Sequence, residues 1–203
     1  AFFISAVLVE SGLSTRITCQ VLQRAATTPR QLRMAILLFG AFASFWMSEH
    51  AVAAMMYPIV LSIVTAAKLT PTSRFARSLF LAMAWGCIIG GIATYLGGAR
   101  NPLAMGILFE MTGERIGFVE WLVADIPVVI AMLGIAVAVL HFKYPTEPID
   151  LTRAASVLRQ RIHDLGPMDG REKGVAAVTI GTIGCWVFLH GTISLGVTAM
   201  ASV

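Results

Sequence analysis

The sequence predicts an all-α membrane protein that combines transmembrane helices with a re-entrant helical hairpin and a broken helix. Of its 203 residues, 57% are hydrophobic and only 13% are charged, and the mean hydropathy is +0.80. Soluble domains carry about 25% charged residues. The apolar runs recur along the whole chain and are longer than the roughly 7 to 15 residues of a signal-peptide core, so we interpret them as membrane segments.

The few charged and thiol-bearing residues argue against several other classes of protein. The net charge of +4 does not indicate a nucleic-acid partner, because the basic residues lie between apolar segments, where the positive-inside rule accounts for them. Cys19, Cys87 and Cys185 are odd in number and have no metal-ligand spacing, which favours small buried residues over a disulfide framework. The chain begins with Ala1 inside an apolar segment without a basic leader, and we therefore expect it to be part of a longer protein.

The distribution of Lys and Arg predicts the topology. Thirteen of the fifteen basic residues fall within 16–33, 68–77 and 143–173, which we assign to the cytoplasmic side. The mostly acidic connection 110–125 is assigned to the opposite side, with Trp121 as an anchor at the membrane interface. The scheme holds only if the apolar segment between the first two basic segments returns to the side on which it started.

That apolar segment, residues 34–67, contains two adjacent ionisable side chains at its midpoint, Glu49 and His50, and apart from Tyr57 no others. A single span needs about 20 residues and two spans need about 40. Two arms of roughly 15 residues reach about 22 Å at about 1.5 Å per residue, which is short of a hydrocarbon core of about 30 Å. We therefore predict a hairpin over 34–67 with Ser48, Glu49 and His50 at its tip, shielded from lipid by protein.

The next apolar block, predicted as a broken helix over 75–110, is interrupted near its middle. Glycine, which is unfavourable in a helix interior, occurs at four positions, Gly90, Gly91, Gly97 and Gly98. Pro102 removes a backbone donor, so a continuous helix is not expected. Asn101 is a suitable N-cap and Pro102 a suitable first residue for a second half-helix. The first half-helix is expected to leave carbonyl groups near Gly97 and Gly98 that suit a cation.

The remainder of the chain completes the predicted organisation. A span is predicted over 126–142. A cytoplasmic loop over 143–172 contains an amphipathic helix that begins after Asp150 and either lies on the membrane surface or forms a small soluble linker. Residues 173–203 are expected to begin a second half of the protein, so that residues 1–142 form a first-repeat transport unit.

Two motifs in this order resemble the first repeat of the divalent anion:sodium symporter family, whose members carry dicarboxylates, citrate and sulfate. The family has a serine-asparagine-threonine tip on its first hairpin, followed by alanines, methionines and a proline, and here Ser48, Glu49 and His50 precede AVAAMMYP. Its broken helix has a glycine-rich loop that ends in two prolines and an asparagine, and here IGGIATYLGGARN runs from Ile89 to Asn101. The resemblance covers nearly the whole chain and implies one inverted repeat of an ion-transporter fold, whose site a second repeat would close.

The resemblance, together with the position of Thr94 and Asn101 at the break, implies two sets of site residues. The ion-binding set for Na⁺ is Ser44, Ser48, Glu49, Thr94 and Gly97. The substrate-binding set is Glu49, His50, Gly98, Ala99, Arg100 and Asn101. Three positions depart from the family, because asparagine and threonine are replaced by Glu49 and His50, and one loop proline is replaced by Arg100. Charged or titratable groups therefore stand where the family has neutral ones.

These charged replacements allow several interpretations. Glu49 and Arg100 should lie at two facing breaks, where an ion pair would tune the site and leave His50 free to meet an anion or to titrate. Glu49 could instead bind Na⁺ directly or take up a coupling proton. In a purely structural interpretation, the pair locks the hairpin against the broken helix.

These features favour a secondary active transporter of a small anion, a dicarboxylate, sulfate or similar, coupled to Na⁺ or H⁺ and working by alternating access. An anion exchanger without cation coupling, a channel and a structural membrane subunit are the alternatives. An enzyme is not favoured, because no zinc-binding HExxH, no paired aspartates and no nucleophile with a matched base are found. No cofactor beyond the coupling ion is expected. The expected partners are membrane lipid and, by resemblance, a second copy in a homodimer, at a multi-pass location in the cell membrane, which in a bacterium is the inner membrane.

Overall fold

The structure is a computed structural model that describes residues 7–70, 72–114, 116–145 and 149–188. These residues fold into helices, and no strand is present among them. The helices are α1 Leu13–Ala25, α2 Pro29–Trp46, α3 Glu49–Ala66, α4 Arg74–Gly90, α5 Arg100–Thr112, α6 Phe118–Lys143, α7 Thr152–Asp164 and α8 Gly170–Phe188. The predicted all-α class is confirmed. Of the region predicted to begin a second half, residues 189–203 lie outside the described residues.

Helix α2 begins where the sequence predicts a helix start. The side chain of Thr28 accepts a hydrogen bond from the backbone N–H of Gln31 at 3.2 Å, and Pro29 is the first helical residue. Thr28 thereby satisfies one of the backbone donors that a helix N-terminus leaves unpaired, and proline is pre-organised for the first position.

The apolar segment predicted as a hairpin consists of two helices with a short break between them. Met47 and Ser48 have extended ψ angles of 153° and 131°, and they separate the end of α2 from the start of α3 at Glu49. A continuous rod through this segment is therefore excluded. The re-entrant path of the two helices through a membrane stays a prediction.

The segment predicted as a broken helix also consists of two helices. Helix α4 ends at Gly90 and helix α5 begins at Arg100, and residues 91–99 between them form turns and bends. The predicted N-cap is wrong by two positions, because Ala99 precedes the first helical residue and Asn101 lies inside the first turn. The side chain of Asn101 instead donates hydrogen bonds to backbone carbonyls of the break.

Two glycines allow α4 to pack directly on the backbone of α2. Gly86 and Gly90 are four residues apart and therefore lie on the same face of α4. A Cβ atom on Gly86 would collide with the backbone of Leu37, and one on Gly90 would collide with the backbone of Ala41. Small residues at this spacing permit close helix packing in membrane proteins. The contact places the C-terminal end of α4 beside the C-terminal end of α2, so the two breaks are brought together.

The core lies mainly among the first four helices and includes some residues of α6 and α7, whereas most of α6 presents apolar side chains outward. The fully buried core side chains include Leu22, Leu32, Ile36, Leu37, Met56, Ile59, Ile63 and Leu79. On α6, Val123, Ile130 and Ile135 are each about two-thirds exposed. By length and composition, α3 and α6 are candidate membrane spans. Exposed apolar surface of this kind suits a lipid environment.

Helix α6 contains the predicted span 126–142 and begins earlier, at Phe118. Its first turn is stabilised by Glu120, whose side chain accepts a hydrogen bond from the backbone N–H of Gly117 at 2.8 Å. This local cap extends the helix into the acidic connection, which sequence hydropathy alone assigns to a loop.

The predicted amphipathic helix is present as α7, and its apolar face is covered by protein. Asp150 accepts a hydrogen bond from the backbone N–H of Thr152 at 2.9 Å and so supports the start of the helix. Ala154 and Leu158 are buried, and the helix packs against α1 and α3. This face is therefore not available to anchor the helix on a membrane surface.

A buried ion pair that the sequence analysis does not anticipate ties α1 to the first turn of α8. The guanidinium of Arg16 contacts the carboxylate of Glu172 at 3.0 Å, and the two side chains are 9% and 6% exposed. The same guanidinium donates to the carbonyl oxygens of Leu165 and Gly166 at 3.1 and 2.7 Å. Arg16 thereby holds the loop between α7 and α8 against α1.

The close contact between α2 and α4 predicts that Gly86→Ala destabilises the protein. The added methyl group forces the two backbones apart, and overpacking of this kind costs about 1–3 kcal/mol. Thermal unfolding of the purified protein, followed by its helical circular dichroism, should show a clearly lower midpoint.

Gly106→Ala is the matched control for this change. Gly106 lies within α5, and a Cβ atom there would meet no atom within 4 Å. Alanine in a helix interior is favoured over glycine by roughly 0.5–1 kcal/mol, so this variant should unfold at the same or a higher temperature. Equal destabilisation by both variants would contradict the proposed backbone contact.

Candidate functional site

The two helix breaks contact each other directly. The backbone N–H of Glu49, at the start of α3, donates to the carbonyl oxygen of Gly97 at 2.8 Å. The hydroxyl of Thr94 donates to the carbonyl oxygen of Phe45, near the end of α2. A Cβ atom on Gly97 would lie 2.6 Å from the carbonyl oxygen of Ser44. Backbone groups that each break would otherwise leave unpaired are therefore satisfied across the contact.

An ion pair between Glu49 and Arg100 lies at this contact and confirms the predicted pairing. Both Nη atoms of Arg100 lie 2.6 Å from the two carboxylate oxygens of Glu49, one on each oxygen. The side chain of Glu49 is 8% exposed, whereas that of Arg100 is 48% exposed. Two parallel charge-assisted hydrogen bonds define both the position and the plane of the carboxylate.

Glycine residues make room for the buried carboxylate. A Cβ atom on Gly91 would collide with the carboxylate of Glu49, and one on Gly98 would lie 3.6 Å from Oε1 of Glu49. Gly91 was not among the residues predicted to contact the site. The signal available in the sequence was its place beside Gly90 at the end of α4, but only the structure shows which side chain occupies the space.

The side chain of Asn101 satisfies the carbonyl groups at the break after α4. Asn101 is buried, and its Nδ2 donates to the carbonyl oxygens of Gly91 and Thr94 at 2.8 and 2.7 Å. The indole N–H of Trp121 donates to the next carbonyl in this turn, that of Ile92, at 3.1 Å. Trp121, predicted as an interface anchor, thus contributes to the break itself. Several of the carbonyls expected to remain open at this break are therefore already paired.

The predicted ion-binding residues are brought together, but most of their polar groups are already engaged. Ser48, Thr94 and Gly97 lie in the two breaks, and Ser44 and Glu49 lie in the adjoining turns of α2 and α3. The carboxylate of Glu49 is held by Arg100, and the hydroxyl of Thr94 both donates to Phe45 and accepts from the N–H of Leu96. The hydroxyl of Ser44 is buried beside the thiol of Cys87. The carboxylate that a cation would use is therefore already neutralised by a guanidinium.

The predicted substrate-binding residues divide into a buried layer and an exposed rim. Glu49, Gly98 and Asn101 are buried. His50, Ala99 and Arg100 are exposed, and the side chain of His50 is 85% exposed with Nδ1 3.8 Å from Oε1 of Glu49. The rim thus presents a guanidinium and an imidazole above a carboxylate that has little contact with solvent. A small anion that approaches this rim meets basic groups first.

A comparison with known protein families identifies the family of this chain. The family model described as "Sodium:sulfate symporter transmembrane region" matches residues 1–203. The chain belongs to this family. The resemblance to the divalent anion:sodium symporters, which rested on the hairpin tip and the glycine-rich loop, is confirmed.

Individual relatives are similar over most of this chain. A protein named "Membrane protein" from Cupriavidus necator is 27% identical over 187 residues, which are 92% of this chain and 36% of the relative. The "Sodium-dependent dicarboxylate transporter SdcS" of Staphylococcus aureus is 26% identical over 197 residues, which cover 91% of this chain and 38% of the relative. The chain therefore spans somewhat more than a third of the length of these relatives.

The buried amide of Asn101 predicts a loss of stability on Asn101→Ala. Removal of the amide leaves the carbonyl groups of Gly91 and Thr94 buried without this donor, which costs about 1–3 kcal/mol. Asn101→Asp should be worse, because a carboxylate would face the same oxygens. Thermal unfolding midpoints should fall in the order wild type, Asn101→Ala, Asn101→Asp.

Gln160→Ala provides the control for amide removal. The side-chain amide of Gln160 donates to Asp164 on the exposed side of α7 at 2.8 Å. Exposed substitutions of this kind stay within about 0.5 kcal/mol of the original stability. If Asn101→Ala were no more destabilising than Gln160→Ala, the assigned role of Asn101 would be rejected.

Proposed function

We propose that this chain forms the first-repeat part of a sodium-coupled secondary active transporter that moves small anions by alternating access. The observation that carries the proposal is the contact between two interrupted helices, joined by the pair Glu49 and Arg100, in a member of the sodium:sulfate symporter family. Discontinuous helices near the middle of the membrane are the elements from which secondary transporters build ion and substrate sites.

The chemistry of the rim supports an anionic substrate. The half-exposed guanidinium of Arg100 and the exposed imidazole of His50 both lie beside the carboxylate of Glu49, with Nη1 of Arg100 at 2.6 Å and Nδ1 of His50 at 3.8 Å from Oε1. Guanidinium and imidazolium groups donate hydrogen bonds to carboxylate or sulfate oxygens, and such charge-assisted bonds are stronger than neutral ones. The SdcS relative is named a sodium-dependent dicarboxylate transporter, which supports a dicarboxylate as the first substrate to test.

The complete transporter is proposed to need more than these residues. The relatives are much longer than this chain, and secondary transporters commonly close their site with a second, inverted repeat. We therefore assign residues 1–142 to the first transport unit, 143–172 to a cytoplasmic connection and 173–203 to the start of the second half. A re-entrant hairpin over 34–67, a homodimer and a multi-pass location in the cell membrane belong to the same proposal.

Transport in proteoliposomes that contain the full-length natural chain tests this function. Vesicles preloaded with an unlabelled C4 dicarboxylate should take up the labelled anion faster than empty vesicles, because a carrier exchanges its substrate across the membrane. An inward sodium gradient should drive accumulation, whereas a proton gradient alone should not. A flux that is indifferent to preloading would indicate a channel, and a flux that responds to preloading but not to sodium would indicate an exchanger.

The exposed position of His50 predicts that His50→Ala weakens substrate binding. Loss of one hydrogen bond to a charged group costs about 1.5–3 kcal/mol, so the KM for the transported anion should rise roughly tenfold or more. The measurement is the concentration dependence of initial uptake at a fixed sodium concentration.

His141→Ala is the control for loss of an imidazole. His141 is exposed near the C-terminal end of α6, where its ring contacts that of Phe142. Its replacement should leave the KM unchanged. An equal change in both variants, or no change in His50→Ala, would remove His50 from the proposed substrate site.

A further inference from the structure

We propose that a pocket at the connection between α1 and α2 binds the headgroup of an anionic phospholipid, with the guanidinium groups of Arg24 and Arg30 on its phosphate. The pocket is separate from the helix breaks and does not include any residue of the candidate transport site. The proposal rests on the predicted topology, in which this connection lies on the cytoplasmic side of the membrane, and it does not depend on which anion is transported.

Arg24 and Arg30 line the same pocket from two different helices. Arg24 lies in the last turn of α1, Arg30 is the second residue of α2, and residues 26–28 connect the two helices. Both arginines are exposed, so their guanidinium groups are accessible to a ligand. The N-terminus of α2 also lies at this pocket, and the positive end of a helix dipole favours an anion.

Positive charge collects at this connection without a balancing carboxylate. Arg33 follows Arg30 by three residues on α2, close enough for the two positive charges to repel each other. Arg33 is only 2% exposed, and its Nε is buried without a hydrogen-bond partner among the described residues. In the described part of the chain, none of these three arginines forms an ion pair with a carboxylate. An anion in the pocket would offset the repulsion.

The lining of the pocket favours a lipid headgroup over a free phosphate ion. The pocket has a volume of about 840 Å³, which is in the range of sites for organic ligands and is more than one phosphate ion fills. Val21 and Met34 add apolar surface beside the two arginines. A phospholipid matches both features, because guanidinium groups bind its phosphate through charge-assisted hydrogen bonds and its glycerol and acyl part can contact apolar side chains.

The position of the pocket along the chain matches the depth of lipid headgroups. The apolar segment that we assign to the membrane begins at residue 34, so Arg30 precedes it by about one helical turn. Basic residues next to the cytoplasmic ends of membrane segments attract the anionic lipids of that leaflet. Charge complementarity at this depth therefore favours a lipid of the cytoplasmic leaflet as the occupant.

The test is the binding of short-chain phospholipids to the full-length natural chain, purified in a neutral detergent. Dioctanoyl phosphatidylglycerol should raise the thermal unfolding midpoint as its concentration increases, because a ligand that binds the folded state stabilises it. Dioctanoyl phosphatidylcholine, which has the same chains and no net charge, should raise the midpoint less. Inorganic phosphate at the same concentration should leave it unchanged. An equal rise with inorganic phosphate would indicate a site for the free ion and would overturn the lipid assignment.

The double variant Arg24→Gln/Arg30→Gln tests the two arginines directly. The Kd for phosphatidylglycerol should weaken roughly tenfold or more, because the phosphate loses its charge-assisted donors. Without lipid, this variant should unfold at the wild-type midpoint or above it, because two like charges are removed. A lower lipid-free midpoint with an unchanged Kd would assign the arginines a structural role and overturn the proposal.

Arg153→Gln/Arg159→Gln is the matched control. Both residues are exposed on α7, on the same predicted side of the membrane, so this variant removes the same charge from another place. It should keep the wild-type Kd, whereas equal weakening in both double variants would indicate diffuse attraction and overturn the specific site. If Arg24→Gln/Arg30→Gln does not fold, the two single variants decide, and an unchanged Kd in both would reject the site. Because no transport is measured, failure of the proposed function leaves this test unaffected.

Discussion

The contact between the carboxylate of Glu49 and the guanidinium of Arg100 holds two interrupted helices together at their breaks. A helix break leaves backbone donors and acceptors without partners, and in an apolar medium such groups are costly. Here the ends of α2 and α4 and the starts of α3 and α5 meet, so that each break supplies partners for the other. The ion pair then fixes the side chains at the centre of this contact, which is why the candidate site lies here and not elsewhere on the helices.

The surroundings of the pair explain how a charged group is tolerated in so apolar a chain. Gly91 provides the space for the carboxylate, Asn101 satisfies the carbonyls beneath it, and Trp121 adds a donor from α6. Buried ion pairs contribute to stability only when their remaining hydrogen-bonding capacity is met. The site is therefore a small polar network whose members depend on one another.

Much of this arrangement could be predicted from the sequence because its signals are local. Thr28 with Pro29 marks a helix start, the pair Glu49 and His50 marks the break between α2 and α3, and paired glycines mark the break after α4. The ion pair also followed from the position of two charges in otherwise apolar blocks. What the sequence did not reveal depends on distant partners. The buried pair of Arg16 and Glu172 joins residues more than 150 positions apart, and the amide of Asn101 turns back to carbonyls instead of capping its own helix.

The glycine contact between α2 and α4 limits how this part of the protein can move. Because Gly86 and Gly90 bring the two backbones into contact, neither helix can slide along the other without a collision at Leu37 or Ala41. In the proposed alternating-access cycle, both helices would therefore move as one rigid body, with the ion pair intact between them. The movement is then accommodated at other surfaces, such as that of α6, whose outward side chains have few protein neighbours.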